Sequence, residues 1–147
     1  PTNRYYKGSD VVISICEKLQ SEGKIDFDLI ENLPHSIALS KKLKSDIFID
    51  QIGNKGGWGY GMNSVESLSM GICTLTEMND IYNSFIPDHP FISVNADNLD
   101  IELRSLLNNR KRIMDKGKEG KAWVKNNHDI KNVADKLYNY YAKIGLS

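Results

Sequence analysis

The stretch "SDIFIDQIGNKGGWGYGMNSVESLSMGICTLTE", residues 45–77, holds two strand-like segments with a glycine-rich loop and a helical segment between them. Residues 45–52 and 72–77 are rich in β-branched and apolar side chains, which favours strands. Residues 62–70 have apolar side chains at helical spacing. A helix that connects two strands is typical of a parallel pair, so this stretch predicts a β-loop-α-β unit.

The sequence on either side continues this alternation. Strands are predicted at 25–31 and 90–95, and helices at 9–23, 34–44, 98–108, 110–126 and 129–143, with a connection at 78–89. Strands that alternate with helices of this length predict an α/β fold: a Rossmann-like parallel sheet with helices on both faces. In such sheets ligands bind at the carboxyl ends of the strands.

Composition narrows the class of protein. The 147 residues are enough for one domain. Because 19 basic residues balance 19 acidic ones, the chain has no net positive charge to attract nucleic acid. The basic run at 108–121 mixes in acids at helical spacing and is interpreted as a solvated helix face. Cys16 and Cys73 are far apart in apolar runs, which favours buried, reduced thiols. The start "PTNRYYKG" reads as a piece cut from a longer protein.

The glycine-rich loop is the first candidate for a binding site. Glycines allow the backbone to approach a ligand closely, and the helix that follows offers free N–H groups and a positive dipole end. Glu66, about one turn into that helix, is placed to accept hydrogen bonds from ribose hydroxyls. The pattern indicates a phosphate and a sugar over one loop, although a plain glycine-rich turn remains the alternative.

A second candidate lies in "RYYKGSD", residues 4–10. Arg4 and Lys7 precede a glycine and a helix start, where two cations would neutralise a diphosphate and its charge on departure. A solvated basic pair is the alternative. Because the loops of successive βα units converge on one crevice, we expect this segment to lie near the glycine-rich loop.

Other polar residues carry weaker signals. His35 opens a predicted helix on the ligand side and is a candidate for contact with a nucleobase, or else a surface histidine. Asp50 and Gln51 end a strand on the same side and either line the pocket or are solvated. The three histidines, at 35, 89 and 128, share no metal-ligand spacing, so no metal site is expected.

Two motifs together resemble a known family. "KGSD" before the first long helix and "GWGYGMNSVESLSMGICTL" later in the chain are similar to segments in the C-terminal half of glycosyltransferases of the family 4 type, which have the GT-B fold. There, a segment like "KGTD" begins a helix, and Glu-Gly-Phe-Gly, four residues and Glu lead into "EAMAxGxPVI". The order of elements resembles that half over essentially the whole of residues 1–147.

The resemblance implies roles for the candidate residues. Lys7 matches the lysine that contacts the donor's diphosphate, and Arg4 matches its partner arginine at a shorter spacing. Gly61 and Met62 match the part of the loop whose backbone amides face the phosphates. Glu66 matches the second acid of the motif, which binds the donor ribose.

The resemblance also marks a departure in the loop that faces the transferred sugar. Gly59 and Tyr60 match this loop, but the motif's first acid, which contacts the sugar in the family, is replaced by Trp58. Three explanations stay open: stacking of the sugar on the indole, contacts from the main chain alone, or loss of catalysis.

The expected protein is therefore the donor-binding half of a retaining glycosyltransferase. It would use a nucleotide-diphosphate sugar and no metal, and would serve cytoplasmic synthesis of envelope polysaccharide or glycoconjugate. The acceptor site, and any contact with the inner face of the membrane, would belong to an N-terminal GT-B domain outside these residues, so the piece alone is expected to be inactive. The alternative from another class is a non-catalytic module that binds a nucleotide sugar or a partner domain. A flavodoxin-like domain also fits the alternation but leaves Glu66 unexplained.

Overall fold

The computed structural model describes residues 3–53 and 59–145, and within them it confirms an α/β fold. A three-stranded sheet is surrounded by eight helices in this part of the chain. In chain order the elements are α1 (Arg4–Lys7), α2 (Ser9–Ser21), α3 (His35–Lys42), β1 (Ile47–Ile49), α4 (Met62–Ser69), β2 (Cys73–Thr76), α5 (Asp80–Phe85), β3 (Ile92–Ser93), α6 (Leu99–Leu107), α7 (Arg110–His128) and α8 (Ile130–Lys143).

The three strands are parallel and lie in the order β1-β2-β3. Phe48 of β1 lies opposite Thr74 of β2, and Leu75 of β2 lies opposite Ile92 of β3. The connection from β1 to β2 contains α4, and the one from β2 to β3 contains α5, as parallel strands require a crossover. The carboxyl ends of all three strands therefore meet at one edge.

The two faces of β2 have different chemistry because successive side chains of a strand alternate between faces. Cys73 and Leu75 are fully buried in the main core, which α2 and α6 complete. On the other face the Oγ1 of Thr74 lies 2.8 Å from the Oγ of Ser67 in α4. Helices thus cover both faces of the sheet, as the sequence predicts.

Two glycines allow α7 to lie directly against this framework. A Cβ on Gly117 would lie 2.1 Å from the carbonyl oxygen of Gly71, so only hydrogen fits there. A Cβ on Gly120 would lie 2.4 Å from the Cδ2 of Leu68. A second core cluster forms where the helices meet, and Trp123 packs in it with Leu68.

The strand predicted at 25–31 is wrong: these residues form a connection outside the three-stranded sheet. Ile25 and Phe27 pack against the main core, which explains the alternation of apolar and acidic residues. The amide of Phe27 donates to the side chain of Gln20 at 2.7 Å, where a strand would use a neighbouring backbone. An alternating pattern needs an adjacent strand to become part of a sheet.

Smaller differences concern element ends. The segment at 78–89, predicted as a connection, contains α5, whose first turn is capped by the side chain of Asn79. Pro34 precedes α3 as its N-cap. The predicted cap of the last helix is confirmed, since Asp129 accepts a hydrogen bond from the amide of Lys131 at 3.0 Å.

The two cysteines have the state that the sequence predicts. Cys16 and Cys73 are free and buried, as predicted, and burial raises the pKa of each thiol to about 11. No helix within 3–53 and 59–145 is long and apolar enough to cross a membrane.

Candidate functional site

The candidate site lies at the carboxyl edge of the sheet, where α1, the end of β1 and the start of α4 meet. The amide of Ile52 donates to the carbonyl of Lys7 at 3.1 Å, which fixes α1 against the segment that follows β1. Gly8 allows this contact: its φ is +60°, and a Cβ would lie 1.8 Å from the carbonyl oxygen of Ile52. The glycine of "KGSD" is thus required by the close approach of two backbones.

Lys7 is held in this edge by polar groups that follow β1. Its Nζ lies 2.8 Å from Asp50 Oδ1 and 3.0 Å from Gln51 Oε1. The Oγ of Ser64 in α4 donates to the other oxygen of Asp50 at 2.6 Å. The carboxylate of Asp50 is only 3% exposed, whereas the Lys7 side chain is 22% exposed. Lys7 is therefore the solvent-facing member of a buried pair.

Gly59, at the end of the glycine-rich loop, is bonded to the same polar group as Lys7. The Nε2 of Gln51 donates to the carbonyl of Gly59 at 2.8 Å, and the Oγ1 of Thr76 lies 3.4 Å from the same oxygen. Gly59 has a φ of +75° and packs over the ring of Tyr82. These contacts fix the end of the loop above the sheet edge.

The first turn of α4 opens onto this group. Gly61 is the N-cap and supplies no side chain to bond the free N–H groups of the turn. Ser64 and Val65 donate to the carbonyl of Gly61, which leaves the amides of Met62 and Asn63 for other partners. A Cβ placed on Gly61 would lie 3.3 Å from the Oδ2 of Asp50 and 3.6 Å from the Nζ of Lys7. A cation, its carboxylate partner and a helix N-terminus thus border the same space, and the cation and the helix N-terminus suit a phosphate.

Glu66, one turn further along α4, lies in a second polar group with residues of α3. Its Oε2 lies 2.7 Å from the Nζ of Lys42, and its Oε1 lies 2.9 Å from the Nε2 of His35. Lys42 also donates to Asn63 at 2.8 Å and lies over the ring of Phe48. The Lys42 side chain is 4% exposed, whereas that of His35 is 71% exposed.

These contacts set the charge of Glu66. Partial burial opposes its ionisation, but the hydrogen bonds with Lys42 and His35, together with the charge of Lys42, outweigh that effect. The pKa of Glu66 consequently lies below its ordinary value, and the group is a carboxylate at neutral pH. An ionised acceptor with one side toward solvent can bind a hydroxyl pair such as that of a ribose.

The remaining candidate residues lie apart from these two groups. Arg4 pairs with Glu31 and lies 3.8 Å from Asp10. The Tyr60 ring packs on Phe91 at a centroid distance of 5.0 Å, where burial raises the pKa of its hydroxyl. Met62 is largely exposed. Trp58 lies outside the described residues.

Sequence reasoning missed several residues of the site, among them Lys42 and Ser64. Lys42 is absent from the predicted candidates, although it follows His35 by seven residues and therefore shares a helix face with it. That spacing was a usable signal. Ser64, which bonds Asp50, has no comparable signal, because its partner depends on how α4 packs against the end of β1.

The described residues contain no group of three or more histidine, cysteine, aspartate or glutamate side chains that could hold a metal ion. Comparison of the chain with family models, with curated proteins and with solved structures finds no match. The class defined by fold and site is an α/β protein with an open polar site at the carboxyl edge of a parallel sheet.

Proposed function

We propose that this protein is the donor-binding half of a retaining glycosyltransferase with the GT-B fold, similar to the family 4 type. It would bind a nucleotide-diphosphate sugar for transfer to an acceptor in cytoplasmic synthesis of envelope polysaccharide or glycoconjugate. A domain outside these residues would supply the acceptor site and any contact with the membrane. The sheet order supports the proposal, since β1-β2-β3 corresponds to three successive strands on one side of a Rossmann-like sheet.

One observation carries the proposal: Lys7 and the uncapped first turn of α4 face one space at the carboxyl edge of the sheet. A diphosphate placed there would accept hydrogen bonds from the amides of Met62 and Asn63. Lys7 would then shift from Asp50 toward the phosphates and offset the negative charge that develops as the diphosphate leaves. No metal is needed in this arrangement.

The positions of Glu66 and His35 support the same orientation of the donor. Glu66 lies five residues after Gly61, roughly one and a half helical turns, so a nucleotide with its phosphates over Gly61 would bring its ribose toward this carboxylate. His35 contacts Glu66 and is mostly exposed, which leaves its ring available to a nucleobase. Arg4 would contribute only by leaving its pair with Glu31.

A non-catalytic module is the second candidate, and a specific observation favours it. Lys7 already has Asp50 as an internal partner, and Glu66 already has Lys42 and His35. Such pairs stabilise a fold without any ligand, so the same residues would suit a domain that only binds a partner. The replacement of the motif's first acid by Trp58 agrees with this candidate.

A calorimetric titration of residues 1–147 with UDP, GDP, ADP and their sugar conjugates tests the proposal. One of these should bind selectively, and Lys7→Ala and Glu66→Ala should each weaken binding about tenfold or more, since a hydrogen bond to a charged group contributes roughly 1.5–3 kcal/mol. Lys41→Ala is the control for Lys7→Ala. It also removes the charge of a lysine, but Lys41 pairs with Asp28 and with no residue of the proposed donor site. It should change the affinity less than about twofold.

The two candidate functions give different results in this titration. Selective binding that both variants lose, in folded protein, supports the donor site. Folded wild-type protein that binds no nucleotide would contradict the proposal and leave the partner-binding module as the function.

A further inference from the structure

The helix α8 carries its large apolar side chains on one side. At about 100° per residue they span an arc of roughly 160°, which we call the apolar arc of α8. Its centre is formed by Ile130, Leu137, Tyr141 and Ile144, and its two borders by Tyr138 and Tyr140. All six side chains are exposed, and Ile130 is 85% exposed. A helix of a folded domain usually turns such an arc toward the core, whereas this one faces solvent in the part of the chain that the structure describes.

The polar side of α8 attaches the helix to the rest of the protein. The Nδ2 of Asn132 donates to the carbonyl of Lys125 in α7 at 2.9 Å. The Nζ of Lys136 donates to the Oδ1 of Asn127 at 3.4 Å. Because Asn132 lies roughly 160° around the helix from Ile130, these contacts are on the side opposite the apolar arc. They keep the arc directed away from α7.

Lysines flank the apolar arc on both sides. The helix contains three lysines and one acid. Lys131 lies beyond one border of the arc, Lys136 and Lys143 lie beyond the other, and Asp135 is on the polar side between them. The Nζ of Lys143 lies 5.8 Å from the centroid of the Tyr140 ring, so a cation and an aromatic border residue are neighbours. In a chain without net charge, α8 is thus a positive region around an apolar arc.

We propose that α8 binds the surface of an anionic lipid bilayer. The helix would lie parallel to the surface, with the apolar arc below the headgroups and the flanking lysines on their negative charges. Lysine keeps its ammonium group at the headgroups while its stem follows apolar surface, and tyrosine has an apolar ring and a polar tip for the same boundary. This contact would add to any contact made by the domain proposed outside these residues, and it is independent of nucleotide binding.

The flanking residues favour a lipid surface over a second copy of the chain. An antiparallel pair of α8 helices would bring Lys136 and Lys143 of one copy toward the same border of the other, where like charges repel. A parallel pair would cover only a narrow seam, so Tyr138 would stay exposed.

A protein partner is disfavoured by the same residues. Lysine is depleted at protein interfaces, whereas the arc of α8 has lysines on both sides. An anionic headgroup layer satisfies these cations without a matching set of placed carboxylates.

Co-sedimentation of residues 1–147 with lipid vesicles tests the proposal. One set of vesicles contains about three parts phosphatidylcholine to one part phosphatidylglycerol, and the other contains phosphatidylcholine alone. Ile130→Glu removes an apolar side chain of the arc and keeps the helix, since an acid favours the first turn. Ile101→Glu is the matched control, because Ile101 is 69% exposed in the first turn of α6.

We expect the wild type to bind the mixed vesicles at least about tenfold more strongly than the uncharged ones, because the lysines attract anionic headgroups. Ile130→Glu should weaken binding to the mixed vesicles about tenfold or more, since it replaces an inserted apolar group by a charge. Ile101→Glu should change it less than about twofold. The double change Lys131→Gln and Lys143→Gln should reduce the preference for the mixed vesicles severalfold and leave binding to phosphatidylcholine unchanged.

Three results would overturn the proposal. Folded wild-type protein that binds neither kind of vesicle would leave a protein partner as the occupant of the arc. Equal losses in Ile130→Glu and Ile101→Glu would mean that another surface contacts the lipid. Self-association in analytical ultracentrifugation without lipid, abolished by Ile130→Glu, would show that a second copy covers the arc.

Discussion

At the scale of single residues, the site is built from charges that are neutralised in pairs. Asp50 is almost completely buried and holds Lys7, while Lys42 is almost completely buried and holds Glu66. In each pair the more exposed member is the one that the proposed function assigns to the ligand. A pair of this kind keeps a functional charge in place before the ligand arrives.

Removing the charge of Asp50 should change nucleotide binding in a defined direction. Its carboxylate lies beside the proposed phosphate position and repels it, while Asn at 50 can still accept from Lys7 through its oxygen and donate from its NH2 group to the Oγ of Ser64. We therefore expect Asp50→Asn to bind the selected nucleotide several-fold more tightly in calorimetry at low salt, where charge effects are least screened. Unchanged or weaker binding by folded Asp50→Asn protein would contradict a phosphate at this position.

The lowered pKa of Glu66 predicts how stability depends on pH. A carboxylate whose pKa is lower in the folded state contributes stability above its unfolded pKa and loses it as pH falls through the folded pKa. The free energy of unfolding, measured with urea, should therefore fall less between pH 7 and pH 3.5 in Glu66→Gln than in the wild type. The control is Glu17→Gln, which changes an exposed glutamate of α2. The free energy of unfolding of this variant should fall by the same amount as that of the wild type over this pH range. Identical pH dependence in wild type and Glu66→Gln would show that the pairs with Lys42 and His35 do not contribute.

At the scale of elements, the contact between α7 and the turn before β2 depends on Gly117. An added methyl group there would meet a backbone oxygen, which cannot rotate away. Gly117→Ala should lower the free energy of unfolding by about 1–3 kcal/mol or more, in spite of the better helix propensity of alanine. Urea denaturation followed by circular dichroism measures the change.

Gly120→Ala serves as the matched comparison. Its methyl group would meet the end of the Leu68 side chain, which can change rotamer, and alanine favours the helix by about 1 kcal/mol. We expect a smaller loss than for Gly117→Ala. The reverse order would mean that α7 is positioned by side chains of the second core cluster and not by the backbone contact at Gly71.

The sequence predicts those elements whose pattern is local. The unit at 45–77 and the last three helices follow from apolar spacing and caps, such as Asp129 before α8. The segment at 25–31 has the pattern of a strand but fails, because pairing depends on a neighbour that the pattern does not contain. The contact of Lys42 with Glu66 depends on how two helices pack, which local spacing only partly reveals.

At the scale of the whole molecule, one cavity of about 850 Å³ extends from the outer side of β1 to the carboxyl edge of the sheet. It is lined by Ile47 and Ile49 of β1 and also by Lys7, Asp50 and Asn63 of the candidate site. The candidate site is therefore part of this cavity.

The most direct test of the donor site is NMR mapping of backbone amides while the nucleotide selected by calorimetry is added to the full 147 residues. We expect the largest shifts on Gly61, Met62 and Asn63, and Lys7→Ala should abolish them without changes at β3. Shifts centred away from the first turn of α4, or shifts that persist in folded Lys7→Ala protein, would contradict a nucleotide held between Lys7 and that helix.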